Sequence, residues 1–442
     1  MRDLENARTW GIVASHPGSG ITEIARPIGV IGAVVPSTNP VTTPANNMIN
    51  ALKCGNAIVL SPSPGGQEAC RLLLNYVHQE FARVGIDPDL VQMIPAPATK
   101  IRTGRLLETV DLALATGSQD NVRRAYASGT PAIGVGAGNV PVIVDETADA
   151  EAAARLIARS KTFDNATSCS SENALVVVDA LYDSFSAALR NEGCAILDSA
   201  KERHVVERLC PGGRLNPRAI ARDAHVLIDA LELAGEVPDN TRFIAVETAN
   251  AGPGHRISGE KISLVTALYR ARDFADARAI VTRILEHAGA GHSVGLHTTR
   301  DDRAIELGRA LPVCRIIVNQ AHAIATGGSF DNGLPFSLSM GCGSWGGNSI
   351  DETLHWKHFL NVTRVVRTIP PDEPSLEELF ADYWAGCRQR PRGVILRPAR
   401  SATGSSGTPT RHPTRSATSF PMDHPISHGA ICSREQKRSP GP

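Results

Sequence analysis

The stretch Thr22-Glu-Ile-Ala-Arg-Pro-Ile-Gly-Val-Ile-Gly-Ala-Val-Val-Pro36 decides the reading of this 442-residue chain. Its first half alternates over Ile21–Arg26, the period of a strand with one face in water. Its second half, Ile28–Val35, is continuously apolar, as in a strand buried on both faces of a parallel sheet. Working outward, Ala57–Leu60 is a second buried strand. Leu72, Leu73, Tyr76, Val77 and Phe81 make one apolar stripe on a helix over Gln67–Arg83 that Gly85 stops. A strand at Asp111–Ala115 and a helix at Ser118–Ala127 follow, then a strand through Val142–Val144 and a helix over Ala148–Lys161. Further strands are predicted at Ala174–Asp179, Val265–Tyr269, Ser293–His297 and Arg315–Val318, and further helices at Leu181–Asn191, Lys201–Leu209 and Phe274–Ala288. Strands alternating with helices give an α/β fold built of parallel units, without internal repeats. Pro370–Tyr383 reads as a linker with a last short helix.

Composition narrows the function. Apolar residues make up 42% and charged residues 20%, the balance of a globular protein long enough for two or three packed units. Ile28–Val35 is far too short to cross a bilayer, and Met1–Arg8 lacks a secretory pattern, so a cytoplasmic protein without membrane contact is expected. The net charge is zero, yet Arg388–Pro442 holds ten Lys/Arg against Asp423 and Glu435. The rest is therefore acidic, which argues against a nucleic-acid partner. Ser, Thr, Arg, Pro and Gly dominate the tail, and 386–442 is expected to be disordered because it cannot bury enough surface to offset its ordering entropy. None of the nine cysteines pairs at C-x-x-C spacing, and no H-E-x-x-H appears. Neither a disulfide framework nor a metal site is expected.

Several segments could carry chemistry. Cys169 lies in Lys161-Thr-Phe-Asp-Asn-Ala-Thr-Ser-Cys-Ser-Ser-Glu-Asn173, a small, polar connection between a helix and a buried strand. Nearby amides and hydroxyls there favour a reactive thiolate, although a spectator cysteine fits the same pattern. Asn39, in Pro36-Ser-Thr-Asn-Pro40, follows the first buried strand, where α/β sheets bind ligands. Its amide suits a developing oxyanion, while Asn-Pro is equally a turn signal. Thr116, Gly117 and Ser118 stand between a buried strand and a helix start, a place for a pyrophosphate. Ile133-Gly-Val-Gly-Ala-Gly-Asn139 runs into a strand instead of a helix and reads as a close-packed loop. Gly341 opens a second glycine-rich loop, Gly341-Cys-Gly-Ser-Trp-Gly-Gly-Asn348. His292 precedes a strand in a glycine-rich turn, as a proton carrier or as a turn cap.

In their order, these segments resemble the aldehyde dehydrogenase superfamily. Glu23-Ile-Ala-Arg-Pro-Ile-Gly-Val-Ile, Pro36-Ser-Thr-Asn-Pro, Ser61-Pro-Ser-Pro, Ala115-Thr-Gly-Ser, Ser160-Lys-Thr-Phe-Asp-Asn, Gly259-Glu-Lys-Ile-Ser and Gly341-Cys-Gly-Ser-Trp-Gly-Gly-Asn-Ser carry the resemblance over about residues 9 to 368. The chain is most similar to the coenzyme A-acylating branch, and Asn165-Ala-Thr-Ser-Cys-Ser-Ser-Glu-Asn looks closest to acylating sulfoacetaldehyde dehydrogenases. The resemblance implies an aldehyde dehydrogenase fold. A Rossmann-like NAD(P)-binding domain would cover 27–160 and 343–352, a catalytic domain 161–342, and an oligomerisation arm 9–26 with 355–385. Family members carry on the order of a hundred residues ahead of this first strand, so the cofactor domain is expected without its N-terminal part.

It further implies that Cys169 is the nucleophile, Asn39 the oxyanion donor and His292 a residue near the coenzyme A site. Ser61, Ser63, Thr116, Gly117, Ser118, Gly136, Glu260 and Gly341 would bind the cofactor, with Glu260 on the nicotinamide ribose. Partners would be a small aldehyde, sulfoacetaldehyde or acetaldehyde, and coenzyme A, in a homodimer or homotetramer. Hydrolytic family members keep a glutamate where this chain has Gly134–Asn139, and its absence agrees with a thiol as acyl acceptor. Two alternatives stay open: a non-acylating semialdehyde dehydrogenase of the same fold, and an inactive homologue serving as an interaction subunit.

Overall fold

The computed structural model describes residues 2–136 and 138–387. Its first unit ends at Pro370 and holds three sheets. β1 (Gly11–His16) and β2 (Ile21–Pro27) form an antiparallel hairpin. β3 (Val30–Val35), β4 (Ala57–Pro62), β5 (Val91–Met93), β6 (Leu112–Thr116) and β7 (Ala132–Val135) make a five-stranded parallel sheet in the order β5-β4-β3-β6-β7. β8 (Val140–Val144), β9 (Glu172–Val178), β10 (Cys194–Leu197), β11 (Phe243–Glu247), β12 (Val265–Ala271), β13 (Val294–His297) and β14 (Ile316–Val318) make a seven-stranded parallel sheet in the order β10-β11-β12-β9-β8-β13-β14. β15 (Leu360–Val366) returns to pair antiparallel with β2, Thr22 opposite Val365. The second unit, from Pro371, contains short helices at Leu376–Leu379 and Ala381–Cys387. The expected disordered tail lies outside the described residues from 388 onward.

The α/β expectation holds, with parallel strands buried as their apolar runs require. All seven residues of β9 and all five of β8 are buried. Differences from the expected elements have physical reasons. Ile133–Asn139 was expected to be a loop, yet Ala132–Val135 is β7. A side-chain carbon on Gly134 would come within 2.5 Å of Val122 and 2.9 Å of the Tyr126 ring. The glycine therefore serves close helix-on-strand packing, a recognised use inside strands. The Thr42–Lys53 helix was not anticipated, because Thr42, Thr43, Asn46, Asn47 and Asn50 are weak helix formers. Burial of Met48 and Ala51 against the five-stranded sheet holds it. β10 and β11 are only four and five residues long.

The topology positions a site. In the five-stranded sheet the chain steps outward from β3 to β4 and β5, then crosses back to place β6 on the other side of β3. Ligands bind at such a switch point, beyond the carboxyl ends of the strands. Those ends carry Pro36–Asn39 after β3 and Gly117–Ser118 after β6.

Arg303 anchors the end of β8. Its Nη1 lies 2.5 Å from Asp145 Oδ2 and its Nη2 2.5 Å from Glu146 Oε1, with Asp145 fully buried. Removing one partner of a buried pair leaves an uncompensated charge. Arg303→Met should lower stability by about 3 kcal/mol, measured by denaturant unfolding followed by circular dichroism.

Candidate active site

Cys169 sits one turn ahead of β9, and strained backbone delivers it there. Asp164, Asn165 and Ala166 have φ of 49°, 50° and 57°, a left-handed run that costs non-glycine residues about 1 kcal/mol or more each. Thr167 secures the run through its backbone N–H and its hydroxyl, both donating to the Asp164 carbonyl at 3.0 and 2.6 Å. Asn165 donates to Asp223 at 2.7 Å. Sequence reading missed this strain, because no glycine announces it.

Two buried lysines fix the surroundings. Lys161 Nζ donates to the Glu172 carbonyl at 2.8 Å, pinning the segment just after Cys169. Lys261 Nζ donates to three carbonyls, Ile257 at 2.7 Å, Asn173 at 2.9 Å and Gly259 at 3.0 Å, while its backbone N–H reaches Asn173 Oδ1 at 3.0 Å. An ammonium has three donors, and here three carbonyls take them. Lys261 thereby bolts the loop carrying Glu260 to the strand behind Cys169.

These elements enclose a cavity of about 580 Å3. Of the site residues expected from sequence, Cys169, Asn39, Ser63, Thr116, Gly117, Ser118, Gly136 and Glu260 line it together. Ser61, His292 and Gly341 are not among its lining residues. Ser61 is buried and shares a 2.7 Å hydrogen bond with Thr103. Gly341 gives its carbonyl to the buried Arg315 at 2.8 Å, and Arg315 also bonds the His292 carbonyl at 3.3 Å. His292 is fully buried behind the cavity wall, its Nδ1 2.7 Å from Ser293 Oγ and its Nε2 without a partner. The lining residues Thr43, Thr167, Ser168 and Gln119 were not singled out in the sequence. Their only signal is their position beside Asn39, Cys169 and Ser118.

Gly138 is the contact on which the site closes. A side-chain carbon there would sit 2.3 Å from the Cys169 carbonyl oxygen and 3.0 Å from His292 Cδ2, so only glycine fits. Its backbone also hydrogen-bonds the Glu260 carboxylate. Asn39 Oδ1 accepts from Thr42 Oγ1 at 3.0 Å, which orients the amide and leaves the Nδ2 end for a ligand.

The proton balance follows from burial. The Cys169 thiol is pushed well up, first by burial and then by the Glu260 charge, so it rests protonated. Burial also raises Glu260, to about 7, against the opposing pull of Gly138, Lys161 and Lys261. His292 is lowered to about 3 by burial and by Arg315, and is neutral. The glutamate missing from Gly134–Asn139 therefore does not leave the cavity without a carboxylate: Glu260 supplies one from another element. Glu352, His355 and His358 also come together, with ligand atoms within 4.8 Å of one another. His358 Nδ1 takes the His355 backbone N–H at 3.1 Å and its Nε2 meets Glu352 at 3.3 Å, while His355 Nδ1 lies 2.9 Å from the Thr353 carbonyl.

A thiol, an amide donor and a capped helix start, at the switch point of a parallel sheet, match the comparisons with known proteins. The Aldehyde dehydrogenase family profile matches residues 3–196. A sulfoacetaldehyde dehydrogenase (acylating) from Cupriavidus necator is 50% identical over 385 residues, 87% of this chain and 78% of that protein. The chain belongs to the aldehyde dehydrogenase family. Among solved structures, an acetylating aldehyde dehydrogenase from Geobacillus thermoglucosidasius superposes with a TM-score of 0.80 at 30% identity, over 85% of this chain and 82% of that one. An engineered glycolyl-CoA reductase with bound NADP+ gives 0.70 at 25% identity, over 78% and 76%. This aldehyde dehydrogenase is thus an oxidoreductase of the acylating class. No helix among its described residues is long and apolar enough to cross a membrane.

The close approach at Gly138 gives a direct check. Gly138→Ala must displace the Cys169 or His292 segment, and a misplacement of about 1 Å can cost 10²-fold in rate. A roughly hundredfold loss of turnover is expected, with an unfolding midpoint lowered much less than in Arg303→Met.

Proposed function

We propose that this enzyme oxidises a small aldehyde to its acyl-CoA thioester, with sulfoacetaldehyde preferred over acetaldehyde, using NAD(P)+ and coenzyme A. The single observation that carries this is that Cys169 lines one cavity together with Asn39 and Glu260. The acylating relatives support the acceptor. The NADP+-bound neighbour and the absence of an acidic residue in Ser61-Pro-Ser-Pro64 support a site that admits NADP+ as well as NAD+.

The cofactor site fits on the chain's own features. Ser118 caps the Gln119–Ala127 helix, whose free N–H groups suit a pyrophosphate. Gly117, at φ +129°, permits close approach, and Ser63 Oγ is a buried hydroxyl without a partner. When bound, the nicotinamide supplies the hydride acceptor. Glu260 takes the Cys169 proton, and the sulfur adds to the aldehyde carbon. Asn39 Nδ2 steadies the oxyanion. Loss of hydride from that oxyanion leaves a thioester on Cys169, and Glu260 passes its proton to solvent; the thiol of coenzyme A then attacks the thioester and its proton goes to the departing Cys169 sulfur, releasing acyl-CoA and restoring the cysteine thiol. The three-stranded sheet exposes Ile12, Val362, Val365 and Val366, which supports its reading as an oligomerisation arm.

Cys169→Ser should abolish acyl-CoA formation in a coupled absorbance assay, and Asn39→Ala should lower kcat roughly 10²–10³-fold. Thiol activation needs Glu260 ionised, so the rate rises with pH through about 7 and is lost below it. Glu260→Gln should remove that acid limb from the pH–rate profile. If the limb persists and only KM for NAD(P)+ rises, Glu260 serves the ribose alone.

A further inference from the structure

The start of the Thr42–Lys53 helix has unused donors. It follows Asn39 directly, and Val41 at its N-cap offers no side-chain acceptor. The first-turn amides of Thr42 and Thr43 therefore keep the partial positive charge of an uncapped helix end. Thr43 lines the cavity that holds Cys169. It is 1% exposed, yet its Oγ1 has no hydrogen-bond partner. One turn on, on the same face though not itself among the cavity's lining residues, Asn47 is also 1% exposed, and neither atom of its amide group is partnered. Buried polar atoms are costly to leave unpaired, and the tail of an apolar aldehyde cannot pair them.

The charge of the cavity restricts the ligand. Among the described residues that line it there is no Lys, Arg or His, and Glu260 is the only carboxylate. A monoanion with three equivalent oxygens, permanently ionised, suits several neutral donors and a helix end.

We propose that the N-terminus of the Thr42–Lys53 helix, with the Thr43 hydroxyl and the Asn47 amide, is the subsite that holds the sulfonate of a sulfonated aldehyde while its carbonyl reaches Cys169. The assignment rests on the aldehyde-oxidising reading above and adds the group that selects the substrate. Recognition is by neutral donors, without a cation.

The test measures kcat/KM for sulfoacetaldehyde and for acetaldehyde with the full chain, in the wild type, Thr43→Val, Thr43→Ser and Asn47→Leu. A hydrogen bond to a charged group is worth about a factor of ten or more. The sulfoacetaldehyde-to-acetaldehyde ratio should therefore fall about tenfold or more in Thr43→Val and Asn47→Leu, and return towards wild type in Thr43→Ser. Ethanesulfonate should inhibit competitively against the aldehyde and not against NAD(P)+, more tightly than propionate, with its inhibition constant raised about tenfold in Thr43→Val. A purely structural role would lower both aldehydes together and leave the ratio unmoved. An unchanged ratio in both Thr43→Val and Asn47→Leu overturns the subsite. So does ethanesulfonate competing with NAD(P)+, which would give these donors to the cofactor. If Thr43→Val does not fold, Asn47→Leu and the wild-type inhibition pattern decide. A wild type that oxidises neither aldehyde overturns the functional reading instead.

Discussion

A side chain at position 138 has nowhere to go. The chain leaves the five-stranded sheet at β7 and enters the seven-stranded sheet at β8, and on the way Gly138 presses against the Cys169 carbonyl and the His292 ring. That contact brings the ends of two independently packed parallel sheets together around one thiol. The same backbone holds the Glu260 carboxylate, so one glycine sets thiol, carboxylate and imidazole relative to each other. Lys261 completes the arrangement from the far side through three carbonyls. A loop region is thereby built on rigid strand ends, which catalysis requires because positioning errors translate steeply into rate.

Burial also sets the chemistry. A largely desolvated thiol next to a carboxylate rests protonated. Glu260, raised to about 7, is matched to proton transfer near neutral pH. The buried Arg315 is spent on carbonyls of the His292 and Gly341 loops, and burial first, then the Arg315 charge, keeps His292 neutral. Among its described lining residues the cavity is therefore poor in fixed positive charge, and helix ends and neutral donors are what it offers an anion.

Much of this could be read from residues alone. Continuous apolar runs identified β3, β4, β6, β8, β9 and β12, because strands buried on both faces leave no other pattern. The order of Asn39, Ser118 and Cys169 along the chain identified the lining of one cavity. Other features left no local trace. The left-handed run at Asp164–Ala166 uses ordinary residues and is imposed by tertiary contacts. The Thr42–Lys53 helix is polar where it faces the cavity, so its periodicity is faint. Gly134 looked like loop glycine because its reason is the Tyr126 ring, which is adjacent only in space. The missing glutamate agreed with the acylating class of the relatives, although Glu260, from a distant segment, still gives the cavity a carboxylate.

The central claim is that Cys169 carries the acyl group from aldehyde to coenzyme A, and peptide mass spectrometry of the enzyme during a single turnover tests it most directly. With sulfoacetaldehyde and NAD(P)+ but no coenzyme A, the peptide containing Cys169 should gain the mass of one sulfoacetyl group. Adding coenzyme A should clear that adduct and yield an equal amount of sulfoacetyl-CoA. An unmodified Cys169, an adduct on another cysteine, or release as free acid at the same rate without coenzyme A would contradict the account.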